Sequence, residues 1–347
     1  MGIDEPRIRR RNALRGMAAA GLLGIGAGGA GGLFVGSRWP FGPNWVTRSF
    51  DFDLEIGSPY VMGYRGAYEP NRPVDDDGIV ITDNKGQRVY HPVDSCWYLF
   101  PELHSYEVDG DPARLHAVLA TTEYLLAGAE EHQIPSQATD APESAPTSLW
   151  FPYHFAHAPG GLENHVPWYS GMAQGMMLSH LVRLHEVTGE DEWLDDADLV
   201  FNSFRHYRDG SQAASSPWFV SFIDRDDARY TAFEEYPSNN PGQLSSVVNG
   251  NIYAMWGVYD YLRATGDRYA RRLLSRALAS LAGSFPYYRA AGSTSLYGLT
   301  PWSHLTWKNP ASYHRGVITQ LRRTAAFSRD PQFLQQADLL ALDDPGE

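Results

Sequence analysis

Three stretches of the sequence combine tyrosines with carboxyl, amide and histidine side chains. They span residues 167–175, 234–251 and 292–315. Carboxyl and phenol groups can pass protons to and from a bound molecule, and nearby glycines let a ligand approach the backbone closely. Each stretch also has a purely structural interpretation, because adjacent acids such as Glu234 and Glu235 usually form a solvated turn. The recurrence of the stretches at equivalent places favours a shared site.

These stretches lie between segments in which apolar residues repeat with helical spacing. Four short polar turns each separate one helix from the next. In most of them a glycine permits the left-handed residue that ends the first helix, and in all of them an acid can cap the second. The turns lie at residues 109–112, 188–191, 265–268 and 328–331.

A helical hairpin that repeats along the chain predicts a ring or solenoid of helices. We expect a mainly α fold, an α/α toroid of about four helix hairpins, over residues 106–347. A small N-terminal β-rich segment should precede it at 37–105. Within that segment, residues 50–56 alternate apolar and acidic side chains, and residues 79–90 predict a hairpin.

The first 36 residues predict a targeting segment rather than part of the fold. A basic start at 7–15 precedes a Gly/Ala-rich apolar run at 16–36, and Arg10-Arg11 with the residues after it resembles a twin-arginine export motif. We expect export, with the body secreted or associated with the cell envelope. The alternative is an uncleaved N-terminal membrane anchor, which would be the expected contact with a membrane.

Composition and charge exclude several classes of function. The net charge of −13 argues against nucleic acid binding. The single cysteine, Cys96, excludes an internal disulfide, dithiol redox chemistry and metal sites built on paired cysteines. No clustered spacing of metal ligands occurs, so no metal site is predicted. A body this acidic also repels a polyanion at long range unless basic groups gather locally.

The motifs in these stretches carry a resemblance to a known family. Together they are similar, in order and approximate spacing, to the C-terminal domain of the D-glucuronyl C5-epimerases, and the similarity covers about residues 160–340. The motifs are WYSGMAQG at 168–175, EEYP at 234–237, VVNG at 247–250, Tyr297, and Tyr313 with His314.

The resemblance implies an epimerase that inverts C5 of glucuronic acid units in a heparosan-like polysaccharide, without a cofactor. The implied partner is therefore an acidic polysaccharide. It implies further that Glu235, Tyr236, Tyr297 and Tyr313 surround the substrate carboxylate and C5. The residues expected to bind the substrate around them are Trp168, Tyr169, Gln174, Asn249, His314 and Arg315.

Inversion at C5 requires one proton carrier on each face of the sugar and stabilisation of its carboxylate. Our hypothesis gives the two proton-carrying roles to Tyr236 and Tyr313. Tyr297 would hydrogen-bond the carboxylate or polarise a partner residue. Glu235, if burial keeps it protonated, could donate a hydrogen bond to the same group.

A tyrosine that acts as a base needs a cation or hydrogen-bond donors beside it, because its ordinary pKa is near 10. Arg315 and His314 are the nearest candidates in the sequence. Arg289 or Arg229 could replace them after folding.

One departure from the family pattern concerns the substrate carboxylate. The family has an arginine three residues after the tyrosine that corresponds to Tyr297, and this chain has Thr300 there. That arginine would be a natural partner for a uronate. Its replacement leaves the identity of the substrate open and slightly favours a glycan-binding protein without catalysis.

Three other functions remain alternatives. A polysaccharide lyase shares the proton abstraction and then expels the group at C4. A glycoside hydrolase needs two carboxyl groups about 5 to 10 Å apart, for which Glu234 or Glu235 with Asp260 could be proposed. A non-catalytic glycan-binding protein would need the aromatic rings alone. The sequence also leaves open whether the protein forms a homodimer.

Overall fold

The computed structural model describes residues 45–68, 73–133, 147–208, 217–225, 228–240, 243–300 and 302–344. All of them belong to one compact unit, Arg38–Glu347. The expected targeting segment, 1–36, lies outside the described residues. No helix among the described residues is both long enough and apolar enough to cross a membrane.

The described chain is mainly α, with four helix hairpins, as predicted. Among the described residues, short strands lie before the first hairpin, between the first and second, and between the second and third. In each hairpin a second helix packs against the first. The helices are α1 (Pro92–Asp109), α2 (Pro112–Ala127), α3 (Gly171–Thr188), α4 (Glu192–Asn202), α5 (Val248–Thr265), α6 (Arg268–Gly283), α7 (Ala311–Ser328) and α8 (Pro331–Asp343).

The first helices of the four hairpins form the inner layer of an α/α toroid. Helix α1 packs on α3, α3 on α5, and α5 on α7. Helices α3 and α5 approach most closely at Gly175 and Gly257, where a Cβ on Gly257 would lie 2.0 Å from the Gly175 carbonyl oxygen. Glycine at both positions therefore permits backbone contact between the two central helices.

The four predicted interhelical turns are confirmed, and each first helix ends on a residue in the left-handed region. Gly110, Gly189 and Gly266 have φ values of 69°, 71° and 68°. The fourth turn uses Arg329, with φ of 51°. A non-glycine residue in that conformation carries a steric cost that the other three turns avoid.

Acids cap the second helix in three of the four hairpins. The side chains of Asp111, Asp267 and Asp330 each accept a hydrogen bond from a backbone N–H in the first turn of their helix. Asp191 makes no such bond. The capping chemistry expected from the sequence therefore holds at three turns.

The strands occur in antiparallel pairs, each a two-stranded sheet of its own. The predicted hairpin near residues 79–90 is confirmed as β1 and β2. The pairs are β1 (Thr82–Asn84) with β2 (Gln87–Val89), β3 (Glu130–Gln133) with β4 (Thr147–Trp150), β5 (Pro152–Tyr153) with β6 (Trp168–Tyr169), and β7 (Val220–Arg225) with β8 (Ala228–Phe233).

The strand predicted at residues 50–56 is not present. Its alternation is real, because Phe50 and Phe52 are buried while Asp51 is exposed. The partner is a helix rather than a second strand: the backbone N–H of Asp53 donates to the carbonyl of Phe327 near the end of α7 (2.8 Å). Period-two burial requires only one apolar surface, and helices provide it here.

Helical structure also begins earlier than predicted. Helix α1 starts at Pro92 and crosses the expected boundary between residues 105 and 106. Proline is tolerated in the first turn of a helix, but Pro101 lies inside α1 and weakens the helical signal in the sequence. Among the described residues between 45 and 105, the paired strands β1 and β2 span Thr82–Val89.

The segment 58–68 connects the two ends of the inner layer. At one end, Arg323 of α7 donates a hydrogen bond to the carbonyl of Pro59 (2.8 Å). At the other, the backbone N–H of Tyr68 donates to the Ser105 hydroxyl of α1 (2.6 Å). The segment therefore joins the fourth hairpin to the first.

Candidate active site

The predicted site residues converge where the inner helices begin. The N–H of Gly171, at the start of α3, donates to the carbonyl of Glu234 (2.9 Å). The N–H of Val248, at the start of α5, donates to the carbonyl of Tyr297 (3.0 Å). Tyr313 lies in the first turn of α7. Backbone hydrogen bonds thus hold distant parts of the chain at one end of the toroid.

The three predicted tyrosines form a connected group. The hydroxyl oxygens of Tyr236 and Tyr297 lie 3.3 Å apart. The rings of Tyr297 and Tyr313 have centroids 6.0 Å apart. Tyr313 is 48% exposed, so this group reaches solvent.

Further aromatic rings form the walls of the site. Tyr297 stacks on Trp307 with centroids 5.1 Å apart, and Trp307 is 44% exposed. On the other side, the Tyr236 ring lies 5.2 Å from His157 and 6.0 Å from Trp168. Exposed or half-buried rings flanking polar groups suit a sugar ring, which has both apolar faces and hydroxyl edges.

Two adjacent acids have different environments. Glu234 is buried, and its carboxylate accepts hydrogen bonds from the hydroxyls of Ser221 (2.7 Å) and Ser245 (2.6 Å). The backbone N–H groups of Ser245 (2.9 Å) and Ser246 (2.8 Å) also donate to it. Glu234 therefore ties strand β7 to the chain before α5 and has a structural role.

Glu235 faces the tyrosines. It is 7% exposed, and within the described part of the chain its Oε2 has no hydrogen-bond partner. Burial raises its pKa to about 7, and the hydroxyl of Tyr236 opposes this rise. A carboxyl group with a pKa near neutrality can both take up and release a proton under physiological conditions.

Burial raises the pKa of the tyrosines around Glu235, and the negative charge of Glu235 adds to the rise. All of these phenols are therefore protonated near neutral pH and can donate hydrogen bonds. They are Tyr153, Tyr236, Tyr253, Tyr297 and Tyr313.

Two of the predicted substrate-binding residues lie away from this group. Arg315 is on the exposed side of α7, where its Nε donates to Asp344 (3.1 Å). His314 is fully buried: its Nδ1 accepts from the N–H of Ser295 (2.9 Å), and its Nε2 donates to the carbonyl of Leu340 (2.9 Å). The two residues follow Tyr313 directly, and the helical turn directs each to a different side.

The two arginines suggested as substitutes for Arg315 and His314 also form ion pairs with other residues. Arg289 forms an ion pair with Asp343 (2.6 Å), and Arg229 forms one with Asp224 (2.9 Å). None of the four cations suggested from the sequence is thus in place to stabilise a phenolate of Tyr236 or Tyr313.

The neighbouring residues Trp168 and Tyr169 point to opposite sides of strand β6. Trp168 stacks on Tyr153 (4.0 Å between centroids) and contributes to the wall beside Tyr236. Tyr169 donates instead to the carboxylate of Glu130 (2.5 Å). Successive side chains of a strand alternate between its faces, so one of the two predicted residues lies in the site.

Gln174 and Asn249 lie on inner helices beside the site. Gln174 is buried, and its amide bonds with the N–H of Phe151 and the carbonyl of Leu149 (both 2.9 Å), which gives it a structural role. Asn249 is half-buried in the first turn of α5, next to Gly250. It therefore remains at the edge of the site.

Several residues near the site were missed. Tyr253 and Arg323 lie on α5 and α7, Tyr153 is the last residue of β5, and His157 lies against Tyr236. The pKa of His157 is lowered by burial and by the positive charge of Lys85 at the tip of the β1–β2 hairpin. Tyr253 had a signal in the sequence, because residues three and four apart on a helix share a face and Asn249-Gly250 precede it at that spacing.

Thr300 occupies the position at which the sequence resemblance leads us to expect an arginine. Its hydroxyl donates to the carbonyl of Tyr287 (2.9 Å). This threonine therefore secures the loop before α7 and offers no charge to a ligand.

Comparison with known proteins identifies the family to which the chain belongs. Residues 147–339, more than half of the 347, match the family described as D-glucuronyl C5-epimerase C-terminus. An uncharacterized protein of Methanocaldococcus jannaschii is 26% identical over 272 residues, which are 77% of this chain and 80% of that protein.

The solved structures that resemble this chain have lower sequence identity to it than the M. jannaschii protein has. A family 76 α-mannanase of Bacteroides thetaiotaomicron gives a TM-score of 0.46 at 12% identity, over 76% of this chain and 59% of the mannanase. An unsaturated glucuronyl hydrolase specific for heparin gives 0.40 at 16% identity, over 74% and 67%. The chain thus spans about three fifths of the mannanase. From its sequence match, this chain belongs to the family of the D-glucuronyl C5-epimerase C-terminal domain.

Proposed function

We propose that this protein is a carbohydrate epimerase that inverts C5 of glucuronic acid units in a heparosan-like polysaccharide. The observation that carries the proposal is Glu235, a buried carboxyl group with a pKa raised to about 7 and an Oε2 that has no partner among the described residues. Family membership supports the same reaction.

In this proposal Glu235 takes the C5 proton. A base must be partly ionised near the working pH, and a carboxyl group of pKa about 7 meets that condition while the surrounding phenols do not. The sequence hypothesis gave this role to a tyrosine. The change follows from electrostatics, because burial and then the charge of Glu235 raise the pKa of Tyr236 and Tyr313, and the suggested cations bond to other residues.

Tyr313 then donates a proton to the opposite face of C5. It lies on a different element from Glu235 and is the more exposed of the predicted phenols, so a bound sugar could lie between the two groups. The C5–H bond breaks to Glu235, and the new C5–H bond takes its proton from Tyr313. Before the next turnover Glu235 must release the proton it has taken, and Tyr313 must regain a proton from solvent.

Tyr236 and Tyr297 are assigned to the sugar carboxylate. Their hydroxyls lie 3.3 Å apart and both phenols are protonated near neutral pH. Two neighbouring donors can hydrogen-bond the carboxylate oxygens and so stabilise the negative charge that spreads onto them when the C5 proton leaves. This interaction is stronger in the charge-rich intermediate than in the substrate.

The test is incubation with heparosan and other uronate polymers in deuterated buffer, with NMR detection of label at C5. Wild-type protein should introduce label, while Glu235→Gln and Tyr313→Phe should reduce the rate at least about a hundredfold. Tyr169→Phe is the control, because that hydroxyl bonds to Glu130 outside the site.

Each competing function has its own signature in the same incubation. An unsaturated product that absorbs ultraviolet light identifies a lyase, and new reducing ends without unsaturation identify a hydrolase. Polymer binding without label identifies a glycan-binding protein. Label that persists at the wild-type rate in both variants contradicts the residue assignment.

We further propose export by the twin-arginine segment, residues 1–36. Replacement of Arg10 and Arg11 by lysines should retain the protein in the cytoplasm of an expressing bacterium. Fractionation with detection of the mature N-terminus distinguishes a cleaved leader from a membrane anchor.

A further inference from the structure

Arg323 on α7 is a half-buried cation that uses only part of its hydrogen-bonding capacity. Its Nη1 donates to the carbonyls of Pro59 (2.8 Å) and Tyr60 (3.4 Å), and its charge lies 5.8 Å from the ring centroid of Trp256. Within the described part of the chain, Nε and Nη2 have no acceptor. A fixed guanidinium with open donors matches the geometry of a carboxylate.

Two tyrosines accompany this cation. Tyr253 on α5 and Tyr64 in the segment before α1 are both half-buried, and neither hydroxyl bonds to another described residue. Burial raises the pKa of Tyr253 to about 12 and also raises that of Tyr64, and the charge of Arg323 opposes both rises. Two phenol donors and an arginine therefore lie close together with hydrogen-bonding capacity unused.

The group is connected to Glu235 through helix α5. Gly250 contacts the Glu235 carboxyl group, since a Cβ there would lie 2.2 Å from Oε2. Tyr253 follows Gly250 by one helical turn, and its ring lies 5.2 Å from that of Trp256, over which Arg323 is placed. The side chains of Tyr253 and Trp256 thus connect Arg323 to the turn of α5 that contacts Glu235.

Tyr253 is close to both the cation and the predicted proton carriers. Burial raises its pKa, and the charges of Arg323, Tyr313 and Glu235 also influence it. A polymer that extends from Glu235 past Tyr253 would bring a further uronate unit to Arg323.

We propose that Arg323, with the hydroxyls of Tyr253 and Tyr64, forms a subsite for the carboxylate of the next uronate unit along the polymer from the one at Glu235. The subsite rests on the proposed function, which supplies a polymer with a carboxylate on successive uronate units. It also provides locally the positive charge that an acidic protein needs to hold a polyanion.

Calorimetric binding tests this subsite apart from catalysis. The probes are a heparosan hexasaccharide, the same hexasaccharide with its carboxyl groups reduced to alcohols, and free glucuronic acid. Wild-type protein should bind the acidic hexasaccharide at least about tenfold more tightly than the reduced one. Arg323→Met should remove most of that preference, while the affinity for free glucuronic acid should be unchanged.

Matched variants separate binding from folding. Arg322→Met is the control, because Arg322 is an exposed neighbour that pairs with Asp338 (3.3 Å). Arg323→Lys keeps the charge and should retain part of the preference. Tyr64→Phe removes one hydroxyl while leaving the ring contact with His104, and should weaken binding of the acidic hexasaccharide about threefold.

The outcomes distinguish this proposal from the proposed function. A preference for the acidic hexasaccharide that depends on Arg323, in a protein that adds no label at C5, supports the subsite and contradicts the epimerase. A second outcome is label at C5 with the same preference for the acidic hexasaccharide in wild type, Arg323→Met and Tyr64→Phe. This result overturns the subsite and leaves the epimerase proposal intact. Absence of any acid preference in the wild-type protein also overturns it.

Discussion

Glu235 and Gly250 are in direct contact, and the contact leaves no room for a side chain at position 250. A Cβ built on Gly250 would lie 2.2 Å from Oε2 of Glu235 and 2.8 Å from its Cβ. The glycine at the start of α5 therefore determines where the carboxyl group of Glu235 can lie. The absence of a side chain at position 250 also leaves space for the carboxyl group to be buried beside the tyrosines.

Gly250→Ala should reduce the exchange of C5 hydrogen strongly while the protein remains folded. The added methyl group displaces Glu235, at a stability cost of about 1–3 kcal/mol. Gly316→Ala is the control, because a Cβ on Gly316 meets no atom within 4 Å. Wild-type exchange in Gly250→Ala would contradict the assigned position of Glu235.

The ionisation of Glu235 should affect both stability and activity. Its pKa is raised from 4.5 to about 7 in the folded protein, so the folded state disfavours the carboxylate. Stability contributed by the protonated form is present at low pH and is lost as the pH rises from about 4.5 through 7. Glu235→Gln should therefore gain up to about 3 kcal/mol relative to wild type between pH 5 and pH 8.

Denaturation at a series of pH values measures this gain, and a difference that does not vary with pH would contradict the buried carboxylate. Exchange activity in the wild type should rise through pH 7 as Glu235 ionises, because only the carboxylate can accept the C5 proton. An activity that falls over this range would instead favour the protonated form as the active one.

Glu234 should matter for stability. Its carboxylate accepts hydrogen bonds from two hydroxyls and two backbone N–H groups, all in a buried position. Glu234→Gln replaces one acceptor oxygen with a donor and should cost about 2–4 kcal/mol in chemical denaturation. Glu131→Gln, at an exposed strand position, should change stability by less than about 0.5 kcal/mol.

His314 and Arg315 should behave differently although they are adjacent. His314→Ala removes the partner of the Ser295 N–H and the Leu340 carbonyl and should cost about 2–3 kcal/mol. Arg315→Met breaks an ion pair at the surface and should leave stability within about 0.5 kcal/mol and activity at the wild-type level. A large rise in KM for Arg315→Met would restore the original prediction that it binds substrate.

The sequence by itself determined the helix hairpins, because their signals are local. A glycine that can adopt a left-handed conformation and an acid that can cap a helix act within a few residues, and two of the four turns show both. Where the signal depended on a distant partner, prediction was weaker. Residues 50–56 alternate as a strand does, yet they pack on α7 and α8.

The approach of Glu235, Tyr236, Tyr297 and Tyr313 to one another could also be anticipated, from motifs at equivalent positions between hairpins. Which of two adjacent side chains faces the site could not. In three pairs of adjacent residues the two side chains point to different surroundings. The pairs are Glu234 and Glu235, Trp168 and Tyr169, and Tyr313 and His314.

Only the tertiary structure decided these directions, because they depend on how each strand or helix is rotated against its neighbours. The same packing brings Arg323 beside Tyr253 from a helix more than fifty residues further along the chain. Side-chain direction and burial set the pKa of a group, and neither is a property of the residue type alone. The sequence thus determined which chemical groups are available, and the packing of the inner helices decided which of them face one another.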